Sequence, residues 1–387
     1  MEKRETIAVV FGGRSAEHDV SIITAHIPII KSLLASGKYE VVPVYIAKDG
    51  SWYTDEDMNN MEFFKDSDYE SKLNKKNRLQ LKFDDGLKLS TGGMWSKPIE
   101  VDLVFPAMHG TYGEDGSLMG LLRLANVPFV GCDLFASAVA MDKVLTKQVA
   151  ASEGIPVVPY VWFTKKDWEE NESECLRRAN EVGEELFVKP VHLGSSIAIT
   201  KTRNETELKN AIEVAFHYDE KVLVEKSVPN LIEVTLPVMG NEEIQFASIE
   251  RPLNQSDFFD FGDKYLSGGK KSGGVNSQYS EIPAKIDDEL SKLVRDYAEK
   301  AYKTLGCSGT ARLDFLIDGE SNTVYLNEIN TLPGSLYDHN WKQSGVSNVE
   351  LVNRLVELAK ERFAKQSALT QVFETDILKH GGGAKLG

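Results

Sequence analysis

Two short apolar runs near the C-terminus constrain the fold more than any other feature of the chain. RLDFLI at 312–317 and VYLNEIN at 324–330 alternate apolar and polar residues, and a turn-rich DGESN lies between them. This pattern predicts two antiparallel strands joined by a hairpin. Side chains at i and i+2 share one face of a strand, so polar side chains on each run should point the same way.

The polar positions of this hairpin are Arg312, Asp314, Glu328 and Asn330. Pairing of the strands would gather three oxygen ligands and one guanidinium around a common point. Carboxylate and amide oxygens on rigid strands suit Mg²⁺, which proteins hold through a few carboxylates together with substrate phosphates. An ordinary hairpin with one solvated face is the alternative, and the NTLPG turn that follows favours the metal site.

Alternating strand and helix patterns predict an α/β protein with several domains. At 387 residues the chain is too long for one small core. TIAVVF at 6–11, a helix from near His18, EVVPVYIA at 40–47 and VDLVF at 101–105 predict a doubly wound first unit. The predicted divisions are an N-terminal domain at 1–129 with an insertion at 54–97, a small central α+β domain at 130–226, a C-terminal α+β domain at 227–370 and a tail at 371–387.

Further elements are predicted inside the second and third domains. In the central domain we expect a helix at 137–152, strands LFVKP and SIAIT, a helix at 204–216 and a strand VLVEK. In the C-terminal domain we expect strands within 233–250, a helix at 287–305, the hairpin, and an amphipathic helix at 348–365.

The composition argues against several classes of function. A formal net charge of −15 disfavours nucleic acid as a partner, because phosphate backbones are bound by clustered lysine and arginine. No apolar run approaching membrane length is evident, and MEKRETIAVVF lacks the apolar centre of a signal peptide. Cys132, Cys175 and Cys307 are far apart, so disulfides and zinc are not expected. An ordinary soluble enzyme of the reducing cytoplasm is the expectation.

Several motifs precede the hairpin in a recognisable order. They are FGGRSAEHDVS, MHGTYGEDGSLMG, SAVAMDK, FVKPVHLGSSIAI and DKYL, followed by NEINTLPG. With these motifs the chain resembles ATP-grasp ligases, and most closely D-alanine-D-alanine ligases. The resemblance implies an ATP-grasp fold in which ATP lies between the central and C-terminal domains.

Two glycine-rich motifs point to the amino-acid site. FGGRSAEHDVS lies where a strand turns into a helix, and its glycines let a ligand approach the backbone and the helix N-terminus. The resemblance implies that Glu17 binds the ammonium of the first D-alanine; a charge that only offsets the helix dipole is the alternative. The resemblance also places His109, in MHGTYGEDG, at the wall of this site, with a plain flexible loop as the alternative.

Separated lysines would form the phosphate side, since GxxxxGK[ST] does not occur in the sequence. The resemblance implies that Lys143 and Lys189 bind ATP phosphates. It also implies that Ser195, in a turn able to form an anion nest, contacts substrate and phosphate. In the predicted mobile loop FFDFGDKYLSGG, Lys264 matches a phosphate lysine and Tyr265 a substrate-facing tyrosine.

The adenine and ribose should lie against VLVEKSVPNLIEV. The resemblance implies that Glu225 and the backbone around Lys226 and Val228 hold the adenine. This chain has Leu231 where many relatives have a ribose-binding carboxylate. Glu233 is the candidate to replace it.

The implied reaction is the ATP-driven ligation of two D-alanines through an acyl phosphate. Two Mg²⁺ ions, which Mn²⁺ can replace, would bind Asp314, Glu328 and Asn330, and Arg312 would stabilise the oxyanion. The predicted catalytic residues are Glu17, Ser195, Tyr265 and Arg312.

The acceptor side departs from the family pattern. The resemblance implies that Gly334, Ser335 and Leu336 bind the second amino acid, but this chain lacks several residues that many relatives carry after NTxPG. The sequence therefore leaves the acceptor open. D-alanyl-D-alanine is the expected product, and D-alanyl-D-lactate, D-alanyl-D-serine or another dipeptide are the alternatives.

The remaining expectations concern partners and role. D-alanine and ATP are the expected small-molecule partners, with no nucleic acid and no membrane, and the resemblance implies a homodimer that serves peptidoglycan precursor synthesis. A non-catalytic nucleotide-binding regulator on the same fold is a further alternative, which the intact metal set argues against.

Overall fold

The computed structural model describes residues 4–74, 77–84, 86–91, 97–253 and 280–376. Lys264, Tyr265 and the segment GGGAKLG lie outside the described residues. The predicted mobile loop FFDFGDKYLSGG also lies outside them.

The N-terminal sheet is buried on both faces. β1 (Glu5–Gly12) pairs in parallel with β2 (Tyr39–Ile46) and with β7 (Leu103–Pro106), and β3 (Trp52–Tyr53) adds an antiparallel edge to β2. Alternate residues of β1 enter two different cores: Ile7, Val9 and Phe11 in one, Ala8 and Val10 in the other. Because β1 is covered on both faces, its consecutive residues are apolar, which explains the continuous apolar run in the sequence.

A long helix, α1 (His18–Ser36), covers one face of this sheet. Its middle, Ala25–Ile30, is a π-helical turn that contains Pro28. By length and a mean hydropathy of 1.3 the helix could cross a membrane, but 61% of the qualifying window is buried inside the protein. The expectation that no run approaches membrane length therefore overlooked this helix, whose apolar residues pack in the core with α12 (Asn348–Ser367).

The segment predicted as an insertion contains regular structure. A three-stranded antiparallel sheet in the order β4-β5-β6 adds Leu79, Leu87 and Leu89 to the second core, where α4 (Ser117–Leu124) also packs. The elements of this region are a 3₁₀ helix (Glu56–Asn59), α2 (Glu62–Lys65), α3 (Tyr69–Lys72), β4 (Leu79–Phe83), β5 (Leu87–Thr91) and β6 (Ile99–Val101).

The central region is an antiparallel sheet in the order β10-β9-β11-β8 with helices packed on it. Its elements are α5 (Leu134–Met141), α6 (Lys143–Ser152), β8 (Tyr160–Thr164), α7 (Lys165–Glu170), α8 (Glu172–Asn180), β9 (Leu186–Pro190), β10 (Thr200–Thr202), α9 (Glu205–Ala215) and β11 (Lys221–Lys226).

Three differences from the predicted elements occur in this region. β8, α7 and α8 were not predicted. The single helix at 137–152 is two helices, because Asp142 leaves the helical conformation and its carboxylate accepts hydrogen bonds from Val144 N and Leu145 N. The strand expected at SIAIT begins only at Thr200, since Ala198 and two preceding serines have positive φ.

The C-terminal region is an antiparallel sheet in the order β13-β12-β16-β17, covered by α10. The predicted hairpin is confirmed: Arg312 pairs with Asn330, and Asp314 pairs with Glu328. The elements are β12 (Ile232–Gly240), β13 (Ile244–Phe246), β14 (Arg251–Pro252), β15 (Ser280–Glu281), α10 (Asp288–Thr304), β16 (Gly309–Ile317), β17 (Val324–Asn330), a 3₁₀ helix (Gly334–Tyr337), α11 (Asp338–Gln343) and α12.

Candidate active site

One cleft of about 580 Å³ collects side chains from the N-terminal, central and C-terminal regions. Leu336 does not line it, because its side chain is buried in the core beneath α1. The predicted site residues that line the cleft are Glu17, His109, Lys143, Lys189, Ser195, Glu225, Lys226, Val228, Glu233, Arg312, Asp314, Glu328, Asn330, Gly334 and Ser335.

A bulge in the hairpin adds a polar side chain that the sequence pattern did not reveal. Asp314 pairs with Glu328 and Phe315 pairs with Leu326, so Asn327 is an extra residue on β17. Asn327 and Glu328 therefore both line the cleft, although adjacent strand residues ordinarily alternate between faces. Asn327 Oδ1 lies 3.4 Å from Lys189 Nζ and links the hairpin to the central sheet.

Arg312 is the central cation of the hairpin face. Its Nε donates to Asp314 Oδ1 at 2.7 Å and its Nη2 donates to Oδ2, a bidentate geometry that fixes the guanidinium plane. Its Nη2 also lies 3.8 Å from Glu328 Oε1, and its Cζ lies 4.7 Å from the centre of the Tyr337 ring. Burial alone would lower the pKa of Arg312, but the carboxylate of Asp314 outweighs it, so the group stays charged.

The donor chemistry of the hairpin fits a hard divalent cation. Asp314, Glu328 and Asn330 present carboxylate and amide oxygens on one face, the donor type that Mg²⁺ prefers. Within the described ranges no group of three or more His, Cys, Asp or Glu side chains forms a metal cluster. The hairpin set, with two carboxylates and one amide, is of the kind that substrate phosphates complete.

Lys143 reaches the cleft from the start of α6. Asp142 caps this helix, which fixes the position of the lysine stem. Lys143 Nζ donates to Leu193 O at 2.6 Å and lies 3.8 Å from Glu328 Oε2. A phosphate between the hairpin and the loop at 193–199 would therefore meet this ammonium group.

The loop that carries Ser195 folds onto the start of α1. Ser195 Oγ donates a hydrogen bond to Glu17 Oε1, which joins the central region to the N-terminal region. Ser195, Ser196 and Ala198 have φ values of 53°, 58° and 56°. Non-glycine residues in this left-handed conformation are strained, and such strain clusters at functional sites.

His109 supports the loop after the hairpin. Its side chain is buried, and its Nε2 lies 2.8 Å from Thr24 Oγ1, which also accepts a hydrogen bond from Ser335 N at 3.0 Å. Burial lowers the pKa of His109 to about 4, and the charge of Arg312 acts in the same direction. The imidazole is therefore neutral at neutral pH and positions Ser335 through Thr24.

Glu114 is a second carboxyl group near Glu17. Gly110 N donates to Glu114 Oε2 at 2.8 Å. Burial, followed by the neighbouring charge of Glu17, raises the pKa of Glu114 to about 8. The amino-acid end of the cleft therefore holds a carboxyl pair that suits an ammonium group better than an anion.

The turn after the hairpin is unusual in conformation. Ser335, Leu336 and Tyr337 follow one another with φ values of 49°, 54° and 49°. This run turns the Tyr337 ring onto Arg312 and against the ring of His339, whose Nε2 lies 2.9 Å from Glu250 Oε2. This turn therefore contributes Tyr337 and His339 to the wall of the cleft.

Both oxygens of the Glu225 carboxylate are occupied by lysines. It is fully buried and forms ion pairs with Lys147 and Lys189. Only its backbone can therefore serve a base, whereas Lys226 and Val228 line the cleft beside it. Leu231 and Glu233 also line the cleft, and of these two only Glu233 can accept a hydrogen bond from a ribose hydroxyl.

His192 anchors the base of the Ser195 loop. Its Nδ1 lies 3.0 Å from the Asp219 carboxylate and its Nε2 lies 3.2 Å from Asp142 Oδ2, which also accepts from Lys221. Hydrogen bonds to Asp142 and Asp219 raise the pKa of His192 to about 9 from an ordinary value of 6.5.

His192→Gln is expected to lower the free energy of unfolding by about 1 kcal/mol near pH 6, since the pair is half exposed and screened. Because the folded pKa is raised, this stabilisation is complete below pH 6.5 and disappears as the pH rises through about 9. Urea unfolding of both proteins across this range measures the difference. A difference that does not change with pH would contradict the ion-pair explanation.

Seven polar residues in or beside the cleft were not revealed by sequence patterns. Glu250, Asn327, Tyr337, Asp338 and His339 line the cleft, and Thr24 and Lys147 lie beside it. Lys147 lies one helical turn after Lys143 on the same face, but this spacing is also that of two ordinary solvated lysines.

Comparison with protein families places most of the chain in one family. The family model described as D-ala D-ala ligase N-terminus matches residues 6–132. The model described as D-ala D-ala ligase C-terminus matches residues 149–357.

Individual relatives match over nearly the full length. The chain is 36% identical to a D-alanine-D-alanine ligase of Thermosipho melanesiensis, over 96% of this chain and 98% of the relative. It is 38% identical to D-alanine-D-alanine ligase B of Clostridium tetani, over 92% and 94%.

Solved structures agree in fold. The D-alanine-D-alanine ligase of Coxiella burnetii superimposes with a TM-score of 0.78 at 31% identity, over 94% of this chain and 96% of that one. The VanG D-Ala:D-Ser ligase of Enterococcus faecalis superimposes with a TM-score of 0.74 at 33% identity, over 92% and 100%.

Proposed function

The chain belongs to the D-alanine-D-alanine ligase family, and on this premise we propose that it joins two D-alanines to D-alanyl-D-alanine at the expense of ATP. The predicted family, ATP-grasp fold and ligase class are confirmed by the comparisons. The observation that carries the proposal is that a carboxyl pair, a buried guanidinium and two lysines converge in one cleft.

ATP would occupy the part of the cleft between the central and C-terminal sheets. Lys143 and Lys189 would neutralise its phosphates as point charges, and the backbone near Lys226 and Val228 would face the adenine. Mg²⁺ held by the hairpin oxygens would supply charge neutralisation at the transferring phosphoryl group. Phosphoryl transfer requires positioning and charge more than covalent help from the protein.

The first D-alanine would bind with its ammonium group at Glu17 and its carboxylate toward the phosphates. The carboxylate attacks the γ-phosphate, giving an acyl phosphate and ADP. The amine of the second D-alanine, after loss of a proton, attacks the acyl carbon, and phosphate leaves from the tetrahedral intermediate. Arg312, held by Asp314 and stacked on Tyr337, would stabilise the oxyanion of that intermediate.

Glu17→Gln is expected to weaken binding of the first D-alanine by about 1–3 kcal/mol, because a charge-assisted hydrogen bond is lost. The affinity for ATP should stay nearly constant. Steady-state kinetics with each substrate varied in turn measures both effects.

Asp19→Asn is the matched control, since Asp19 lies in the first turn of the same helix and is exposed. An unchanged Michaelis constant for the first D-alanine in Glu17→Gln would show that Glu17 only offsets the helix dipole.

The acceptor is assigned to D-alanine, with D-serine as the second candidate. D-serine is included because a D-Ala:D-Ser ligase is among the similar structures, and because Glu250 and His339 give the cleft wall hydrogen-bonding groups. A panel of D-alanine, D-serine and D-lactate with mass detection of products tests this. D-alanyl-D-alanine as the main product supports the assignment. If a mixed dipeptide or a depsipeptide were the sole product, the assignment of the acceptor would be wrong, but the reaction type would stand.

We assign two Mg²⁺ ions to the hairpin, a homodimer as the working assembly, the cytoplasm as the compartment and peptidoglycan precursor synthesis as the role. Lys264 and Tyr265 stay predictions as phosphate and substrate contacts.

A further inference from the structure

Behind the phosphate side of the cleft lies a lysine that the proposed reaction does not use. Lys147 projects from α6, one turn after Lys143, and its side chain is only 2% exposed. A lysine this deeply buried is rare unless it is paired, because transfer of an ammonium group out of water is costly.

The partner of Lys147 is a carboxylate shared with a cleft lysine. Lys147 Nζ lies 3.0 Å from Glu225 Oε2, while the other oxygen of that carboxylate, Oε1, contacts Lys189 Nζ. Glu225 is also 2% exposed, so the carboxylate has no competing solvent. Lys189 and Glu225 line the cleft, whereas Lys147 lies behind them. Lys189 Nζ also donates a hydrogen bond to Asn327 Oδ1 on the hairpin.

The charges of this buried triad do not cancel. Burial lowers the pKa of Lys147, and the carboxylate of Glu225 opposes this shift. With both lysines protonated, two lysines and one glutamate give a net charge of +1 at the floor of the cleft. Burial alone would raise the pKa of Glu225, but Lys147 and Lys189 outweigh it and lower the pKa to about 2, so the carboxylate stays ionised. Within the described part of the chain Lys147 Nζ also finds no acceptor in good hydrogen-bond geometry.

Burying this additional charge lowers the free energy of unfolding, and the net positive charge favours binding of an anionic ligand. A neutral pair of Glu225 with Lys189 would satisfy the carboxylate without Lys147 and would bury one charge fewer. The additional ammonium group leaves Lys189 only partly neutralised, so Lys189 keeps charge for a ligand. At the low dielectric of the cleft floor this difference is larger than it would be in water.

We propose that Lys147 is a positioning residue for the ATP triphosphate: by holding the second oxygen of Glu225, it orients Lys189 and keeps this lysine available to phosphate. The inference rests on the proposed use of ATP. Without Lys147, Glu225 would pair with Lys189 alone and would neutralise it.

Lys147→Met keeps the length of the stem and removes the charge. Calorimetric titration with a non-hydrolysable ATP analogue and Mg²⁺, without amino acids, is expected to show a Kd raised at least ~10-fold, the size of effect expected when a buried charge partner is removed. The Michaelis constant for D-alanine should change little. Lys166→Met is the matched control, since Lys166 lies on the neighbouring helix α7 and is exposed.

A second variant separates positioning from a merely structural role. In Lys147→Met/Glu225→Gln the carboxylate is neutral, so Lys189 again carries an uncompensated charge, and the affinity for the analogue should recover most of the loss. The double variant also removes the two charges that lie deepest behind the cleft and leaves only Lys189, which lines the cleft, so its folding is protected if the single variant unfolds.

An unchanged Kd in Lys147→Met would overturn the inference. A raised Kd that the double variant does not lower again would also overturn it. Both are read from nucleotide binding alone. A wild-type protein that binds the analogue but forms no dipeptide would contradict the proposed function instead.

Discussion

Glu328→Gln is expected to lower kcat by about 10²–10³-fold, the effect of removing one preorganised group that stabilises developing charge. Glu328 lies at the cleft between two cations, with Oε2 at 3.8 Å from Lys143 Nζ and Oε1 at 3.8 Å from Arg312 Nη2. Glutamine keeps the shape and loses the charge that a divalent cation needs. The fold should be unaffected, since the side chain is partly exposed.

Two readouts measure this change. Phosphate release at saturating ATP and D-alanine gives kcat, and Mn²⁺ binding followed by electron paramagnetic resonance reports the site without turnover. Glu320→Gln is the matched control, because Glu320 lies in the turn of the same hairpin and is exposed. Near-normal turnover with normal Mn²⁺ binding in a folded Glu328→Gln protein would remove Glu328 from the metal site.

Arg312→Lys is expected to lower kcat by a similar factor, about 10²–10³-fold, with little change in the affinity for ATP. Lysine keeps the positive charge but lacks the planar fork that chelates Asp314 and stacks on Tyr337. Its ammonium group would therefore be free to move away from the oxyanion position. The charge of Asp314 stays compensated, which protects the fold.

Single-turnover measurements test this assignment most sharply. Cleavage of ATP in the first step should be slowed less than formation of the dipeptide, because the tetrahedral oxyanion arises only in the second step. Arg354→Lys, on the exposed side of α12, is the control. Equal slowing of both steps would indicate that Arg312 acts through the phosphate and not through the oxyanion.

The hairpin was predictable because its information is local. Alternation along two runs and a turn between them indicate which side chains of each strand share a face, and the observed pairs Arg312–Asn330 and Asp314–Glu328 bring these side chains together. Motif order likewise identified the family, and within the described residues every site residue that it singled out, except Leu336, lines the cleft.

What sequence patterns missed depends on contacts between distant elements or on departures from regular geometry. The bulge that turns Asn327 into the cleft leaves no mark in a period-2 pattern. Lys147 looks like any lysine on an amphipathic helix until Glu225 is placed above it. The left-handed run at 335–337 has no glycine to indicate it, because the surrounding structure imposes the conformation.

The central claim is that the carboxylate of the first D-alanine is activated by ATP as an acyl phosphate. The most direct measurement supplies D-alanine labelled with ¹⁸O in its carboxylate and analyses the inorganic phosphate by mass spectrometry. The account predicts one labelled oxygen in the phosphate for each D-alanyl-D-alanine formed, together with ADP. Dipeptide accompanied by unlabelled phosphate, or by AMP and pyrophosphate, would contradict it.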